Sequence, residues 1–179
     1  MATFDELMHQ RSYEIPDRDC DHPIRIGLVG WSDDSKIVDV EWAKNVIQWI
    51  LDGRIIESVN RVYGRCNQFE LVSGLTDCGI PGIAYHMVSI PNSKYTKTVG
   101  IACSKANDYP QFPVDERHII GNEWGAESDF FIDYIDALVR IGGGAQSHRE
   151  VAMFRAKYPE KPIIESDPKW PTKSFLIGT

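Results

Sequence analysis

The densest chemistry in the chain lies in Ile141-Gly142-Gly143-Gly144-Ala145-Gln146-Ser147-His148-Arg149-Glu150. Consecutive glycines let the backbone turn sharply and bring bare N–H groups close to a ligand. A helix that follows adds unpaired N–H groups and the positive end of its dipole. Such a turn suits a phosphate or a carboxylate. The plainer reading of the same residues is a capping box, in which the Ser147 hydroxyl and the Glu150 carboxylate satisfy N–H groups at a helix start. A cap needs at most one glycine, so three in a row favour a ligand.

The elements that must position this turn are legible around it. Ala137 to Ile141 is short and apolar, as a buried strand should be, and Val151, Ala152, Phe154 and Ala156 predict a helix over Ser147 to Tyr158. Upstream, Ile24 to Gly30 reads as the first strand. Trp42, Val46, Trp49 and Ile50 then recur at helical spacing from Val40 to Leu51, with a break expected at Asp52-Gly53 and a redirected turn or two through Ile55, Ile56, Val59 and Val62. Phe69 to Ser73 is strand two. It runs into a second glycine-bearing turn, Gly74 through Gly79-Ile80-Pro81-Gly82, with a helix opening near Pro81. Thr98 to Cys103, Arg117 to Gly121 and Lys161 to Glu165 supply three further strands, and Phe130 to Tyr134 a short helix.

Strands alternating with helices predict a single-domain, Rossmann-like α/β fold, with a mostly parallel sheet of about six strands covered on both faces. Ligands of such sheets sit beyond the carboxyl ends of the strands, where the strand order reverses, and each glycine turn named above lies at such an end. Residues 1–22 read as an extension that folds at most a turn around Phe4 and Leu7, residues 23–167 as the domain, and residues 168–179 as a tail. Trp31 to Ser35 is not a dinucleotide fingerprint, because Gly27 and Gly30 lack the third glycine and two adjacent aspartates would repel a pyrophosphate.

At 179 residues, with 42% hydrophobic and 25% charged residues, the chain has the composition of one soluble domain. A net charge of -7 without a basic run argues against holding nucleic acid by its phosphates. Cys20, Cys66, Cys78 and Cys103 are scattered, with no CxxC pair and no histidine at zinc spacing. Reduced thiols, no structural metal, no resident cofactor and a cytoplasmic address are therefore expected. No stretch has the length of a signal-peptide core or a membrane span.

With both turns in view, the chain resembles, from about Ile24 to Glu165, the superfamily called SLOG. It groups the Lonely Guy cytokinin-activating phosphoribohydrolases, the DNA-processing Smf proteins and nucleotide-ligand sensor domains. The family's late signature is Gly-Gly-x-Gly-Thr-x-x-Glu after a strand. Gly143-Gly144-Ala145-Gln146-Ser147-His148-Arg149-Glu150 matches it at both early glycines, the hydroxyl and the glutamate. Gln146 replaces the third glycine, and Gly142 stands where the enzymes carry proline. Ser73-Gly74 through Gly82 looks like the family's earlier glycine turn, and Val99-Gly100-Ile101 like the strand after it.

The resemblance implies a phosphate held by the glycines and Ser147, with Gly142, Gln146, Gly74, Gly79 and Gly82 beside it. It also implies Glu150 near the anomeric carbon of a ribose, where a carboxylate stabilises the positive charge that builds as an N-glycosidic bond breaks. A homodimer is implied as well. Trp124 is a candidate for stacking on a base, and Asn122 and Glu123 for binding ribose hydroxyls. For each the plainer alternative is an edge tryptophan or solvated loop residues. Asp33 and Asp34 suit sugar hydroxyls or, more simply, a turn. Arg149 suits a phosphate or an exposed helix face.

The hydrolases carry an arginine on the helix before the motif strand, and Glu127 to Asp136 contains none. The expected function is therefore binding of a nucleotide-derived, phosphoribosyl-containing small molecule. The alternatives are hydrolysis or transfer at the N-glycosidic bond of a nucleoside or its 5'-monophosphate, with Glu150 as the catalytic carboxylate, and a partner-binding module without a ligand.

Overall fold

The computed structural model describes residues 19–169. The expected turn around Phe4 and Leu7 and most of the expected tail lie outside them. Six strands, β1 (Ile24–Gly30), β2 (Phe69–Ser73), β3 (Tyr95–Ala102), β4 (Glu116–Ile119), β5 (Ala137–Ile141) and β6 (Ile163–Ser166), form one sheet in the order β4-β3-β2-β1-β5-β6. Every pairing is parallel, so the expected single-domain, Rossmann-like sheet is all-parallel rather than mostly so.

Side-chain alternation sends each strand's apolar residues to two separate cores. Ile24, Ile26 and Leu28 of β1 and Ala137, Val139 and Ile141 of β5 pack under α1 (Val40–Trp49), α2 (Ile55–Tyr63) and α3 (Gly79–Val88). Val29, Val72, Val99 and Leu138 pack on the other face, under α4 (Ser128–Tyr134) and α5 (Ala145–Lys157) through Phe131, Ile132, Val151 and Phe154. Leu28 is fully buried. Truncating it to alanine would cost about 3 kcal/mol, because the cavity adds to the lost transfer energy.

The expected break at Asp52-Gly53 does not occur. The helix runs on through a π turn, Ile50–Arg54, into α2. The wider turn admits one extra residue and turns the apolar stripe, so that Ile47, Ile50, Ile55 and Val59 all reach the sheet. The Tyr95 hydroxyl anchors it by donating to the Leu51 carbonyl at 2.7 Å. Burial holds the Tyr95 phenol far above its ordinary pKa.

The reduced state expected of all four thiols is corrected at one pair. Cys20 and Cys66 form a disulfide with Cα atoms 5.0 Å apart, and only Cys78 and Cys103 are free. The Cys20 N–H donates to the Arg65 carbonyl at 3.1 Å, which aligns the two segments across a separation no spacing motif reveals. Among the described residues no helix is long and apolar enough to cross a membrane.

Candidate functional site

Strand order reverses between β1 and β5. A cavity of about 560 Å3 opens at the carboxyl ends of the central strands, lined by Gly30, Ser73 and Ala102 and by the start of α5. That volume suits a mononucleotide-sized ligand.

The turn from β5 into α5 faces this cavity. Gly142 and Gly143 take φ of 61° and 100°, the left-handed region that favours glycine. A Cβ on Gly142 would lie 2.6 Å from the Trp31 ring, so the glycine lets the tryptophan lie flat against the turn. Gly144 is the N-cap of α5 and, lacking a side chain, makes no cap bond, and among the described residues no side chain bonds to the N–H groups of the first turn. The alternative reading as a capping box therefore does not hold. Ser147 and Glu150 lie inside the helix, because it starts two residues earlier than the apolar periodicity indicates. The Ser147 hydroxyl reaches toward the Gly30 carbonyl at 3.5 Å, and Gly144, Ala145, Gln146 and Ser147 all line the cavity.

The earlier glycine turn is built differently. The loop after β1 folds over the start of α3, where the Asp34 carboxylate accepts from the Gly79 N–H at 2.7 Å and the Trp31 carbonyl from the Ile80 N–H at 2.7 Å. Gly82 packs beneath Asp77. Of this turn only Gly74, with Leu75, Thr76, Cys78 and Pro81, reaches the cavity. The Tyr85 hydroxyl supports it from below, bonding the Gly74 carbonyl at 3.0 Å and the Val99 carbonyl at 2.7 Å.

Opposite the helix start lies a buried acidic cluster. The Gln146 side-chain amide donates to Glu127 Oε1 at 2.9 Å and to Glu150 Oε1 at 3.0 Å. The Ser128 hydroxyl adds a 2.7 Å bond to the same Glu150 oxygen, and the Gly125 N–H donates to Glu127 Oε2 at 3.0 Å. Glu150 is 5% exposed. Burial, reinforced by the neighbouring Glu127, raises its carboxyl above the usual range against the lowering pull of Gln146 and Ser128. Its Oε2 has no hydrogen bond among the described residues.

The remaining wall is aromatic and apolar: Trp31, Tyr109, Trp124 and Phe131, with Leu75 and Ile101. Trp124 and Tyr109 meet edge to face at 5.9 Å. Lys36 is the cationic side chain of the lining, against Asp33, Glu127 and Glu150.

The cavity thus brings together Gly74, Gly144, Gln146, Ser147, Trp124 and Glu150 of the expected residues. Gly142 and Gly143 are off its lining, Gly143 packing against Ser147 and Gly30, which are on it, and Gly79 and Gly82 lie in the first turn of α3 away from the lining. Asn122 and Glu123 also lie off the lining. Asn122 accepts from the Ser104 hydroxyl at 3.2 Å and Glu123 pairs with Lys105. Asp33 caps the short turn Asp34–Lys36 by accepting from the Ser35 N–H at 2.9 Å, and the Ser35 side chain, followed by this N–H, draws its carboxyl below the ordinary range. Arg149 is exposed, its guanidinium beside Gly125. Sequence reasoning missed Trp31, Lys36, Tyr109 and Glu127 as wall residues. The place of Trp31, directly after β1 at a strand end, is the one signal that marked any of them. Among the described residues no group of three His, Cys, Asp or Glu is placed to hold a metal ion.

No protein-family model matches the chain, and no curated protein matches it by sequence. Solved structures do resemble it. The molybdenum cofactor binding protein from the phototrophic bacterium Rippkaea orientalis is 21% identical with a TM-score of 0.58, over 82% of this chain and 79% of that one. The molybdenum cofactor carrier protein from Chlamydomonas reinhardtii is 18% identical with a TM-score of 0.53, over 80% and 76%. The structural-genomics target TM1055 is 15% identical with a TM-score of 0.56, over 78% and 72%. At such identities the likeness is one of fold.

Proposed function

We propose that this chain binds a small phosphorylated heterocycle of nucleotide or pterin type, in a site of the SLOG kind. One observation carries the proposal: α5 starts at Ala145, just after Gly144, with no side-chain cap among the described residues, and its first turn opens on a cavity of about 560 Å3 at the strand-order reversal. Free N–H groups at the positive end of a 13-residue helix favour an anion there. Trp31, Tyr109 and Trp124 provide faces for a ring, and Glu127 and Glu150 accept from hydroxyl or amino donors. A phosphate at one end and N–H or O–H donors at the other describe both a nucleoside monophosphate and a phosphorylated pterin. Two of the structural neighbours are named for binding or carrying the molybdenum cofactor, a small-molecule ligand.

The test is thermal unfolding with nucleoside 5'-monophosphates, their nucleosides and inorganic phosphate. A ligand at a hundred times its Kd adds about 2.7 kcal/mol, so binding is visible as a raised Tm. A Tm that no monophosphate moves would sink the proposal.

A second reading is favoured by Glu150, which lines the cavity and whose Oε2 has no hydrogen bond among the described residues. An ionised carboxylate there could stabilise the sugar cation of N-glycosidic cleavage. Chromatography of monophosphates incubated with the protein tests it: free base that disappears with Glu150→Ala supports an enzyme, and no free base leaves binding alone.

A further inference from the structure

The most buried cation among the described residues, Arg140, is not part of the cavity lining. Arg140 lies on β5, with its side chain 3% exposed, and by alternation it faces the α4 and α5 side of the sheet. Its Nε donates to Glu165 Oε2 at 2.9 Å. Its Nη1 and Nη2 grip both oxygens of Asp167 at 2.6 and 2.9 Å. The remaining bond goes to main chain, from Nη1 to the Gly142 carbonyl at 2.9 Å. A buried guanidinium between carboxylates is weak evidence of stabilisation, since apolar residues of the same volume serve as well or better. What this set holds is the first peptide of the glycine turn.

Gly142 is tied at both of its backbone groups to the edge strand. Its N–H donates to the Ser166 carbonyl at 2.8 Å, and its carbonyl is bound through Arg140 to Glu165 and Asp167, at and just after the end of β6. In a trans peptide the carbonyl and the following N–H point in opposite directions. Fixing the Gly142 carbonyl toward Arg140 therefore fixes the Gly143 N–H away from it. Gly142 and Gly143, at φ of 61° and 100°, have the backbone freedom to flip this peptide if nothing restrains it.

We propose that Arg140, clamped by Asp167, is a positioning residue that sets the Gly142–Gly143 peptide so that the Gly143 N–H joins the first turn of α5 in holding the ligand's phosphate. The inference rests on the phosphate reading above and adds the device that orients one donor. Arg140 touches no ligand itself. Its loss acts on the phosphate and leaves the ring and sugar contacts, which lie on Trp31, Trp124, Glu127 and Glu150, in place.

Titration calorimetry tests this with adenosine and guanosine 5'-monophosphates as probes, beside adenosine and guanosine. The variants are Arg140→Met, Asp167→Asn and Arg140→Lys, with Arg155→Met as control, because Arg155 pairs with Glu165 at 2.6 Å from the exposed side without contacting Gly142. Arg140→Met and Asp167→Asn should each weaken monophosphate binding about tenfold, the worth of one charge-assisted hydrogen bond. Nucleoside affinity should change less than about twofold, because those contacts are untouched. Arg140→Lys should fall between, since one ammonium cannot serve the carbonyl and both carboxylates as a planar fork does. Arg155→Met should bind like the unmodified protein. Asp167, 71% exposed, carries the test if Arg140→Met fails to fold. An Asp167→Asn protein that keeps the full preference for monophosphate over nucleoside overturns the proposal, and so does an equal loss of both affinities. If the unmodified protein binds neither kind of probe or shows no preference, the phosphate reading itself fails and this inference falls with it.

Discussion

Two strand-to-helix turns in this molecule carry glycines, stand side by side at the same sheet edge and look alike in one dimension. At the start of α3 the N–H groups of Gly79 and Ile80 are already taken, by the Asp34 carboxylate and the Trp31 carbonyl. At the start of α5 no side chain among the described residues does this, and the cavity reaches Gly144, Ala145, Gln146 and Ser147 directly. The dipole of a helix start is a resource that either the protein or a ligand can use. Glycine content says that backbone comes close to something. Whether that something is a ligand depends on the loop that arrives from elsewhere, here the stretch after β1. Trp31 joins the two cases, its carbonyl closing α3 and its ring lying on Gly142.

The contrast breaks most visibly at Gly79. Its φ is 61°, and a Cβ there would overlap the Trp31 carbonyl and lie 2.8 Å from the Ser32 Cα. Gly79→Ala should cost about 3 kcal/mol, combining left-handed strain with a backbone collision. The measurement is denaturant unfolding, and a loss under 1 kcal/mol would mean that the loop after β1 is not packed against α3 as described. Asp34→Ala is the milder version. Removal of a side chain that satisfies a helix-start N–H should cost about 1 kcal/mol. Because Asp34 lies off the cavity lining, nucleotide affinity should stay unchanged by calorimetry. A variant that lost affinity without losing stability would mean that the α3 turn, too, serves the ligand.

The fold was legible because buried parallel strands are written as continuous apolar runs. Ile24 to Gly30, Phe69 to Ser73 and Ala137 to Ile141 were read to the residue. The other three strands moved: β3 begins at Tyr95 rather than Thr98, β4 at Glu116 rather than Arg117 and β6 at Ile163 rather than Lys161, where polar residues blur the pattern. The π turn was invisible because glycine after aspartate reads as a stop, and only the burial of Ile50 and Leu51 keeps the helix going. At the site, the glycine run and Glu150 could be singled out because their types are unusual together. Glu127 and Arg140 could not, and Asp34 could be marked as a sugar-binding or turn residue but not as the partner of Gly79. Each acts through a partner fixed by the fold: Gln146 at 19 positions from Glu127, Gly79 at 45 from Asp34 and Asp167 at 27 from Arg140. The Cys20 and Cys66 pair, 46 apart, was missed for the same reason.

A smaller effect, with a sign set by pH, is expected on the open side of the comparison. Burial raises the Glu150 carboxyl above its unfolded value, so the folded protein prefers the neutral acid. That preference contributes fully below the unfolded pKa and is lost as pH rises through the folded one. At neutral pH Glu150→Gln should therefore raise the Tm, keeping a hydrogen-bonding side chain without a buried charge, and the advantage should vanish in acid. Scanning calorimetry of both proteins from pH 4 to 8 reads this directly. A variant less stable than the parent at every pH would mean that the bonds from Ser128 and Gln146 outweigh the cost of the charge. Ligand affinity, if Glu150 accepts from the ligand, should fall in the same variant that gained stability.

The smallest expected change in stability carries the sharpest test. Gly144 has φ of -100° and ψ of -160°, an extended N-cap conformation that any residue adopts, and a Cβ there would touch nothing within 4 Å. Gly144→Asp would give α5 the kind of carboxylate cap that Asp34 gives α3. The new side chain can accept from the first-turn N–H groups, and its charge suits the dipole, so stability should rise by about 0.5 kcal/mol. The same carboxylate would occupy the anion position and repel a phosphate, so monophosphate binding should fall by more than about tenfold. Asp34→Ala, by contrast, should lower stability and spare affinity. If Gly144→Asp instead binds monophosphates as the parent does, the phosphate does not sit at the start of α5, and the difference between the two turns is only one of packing.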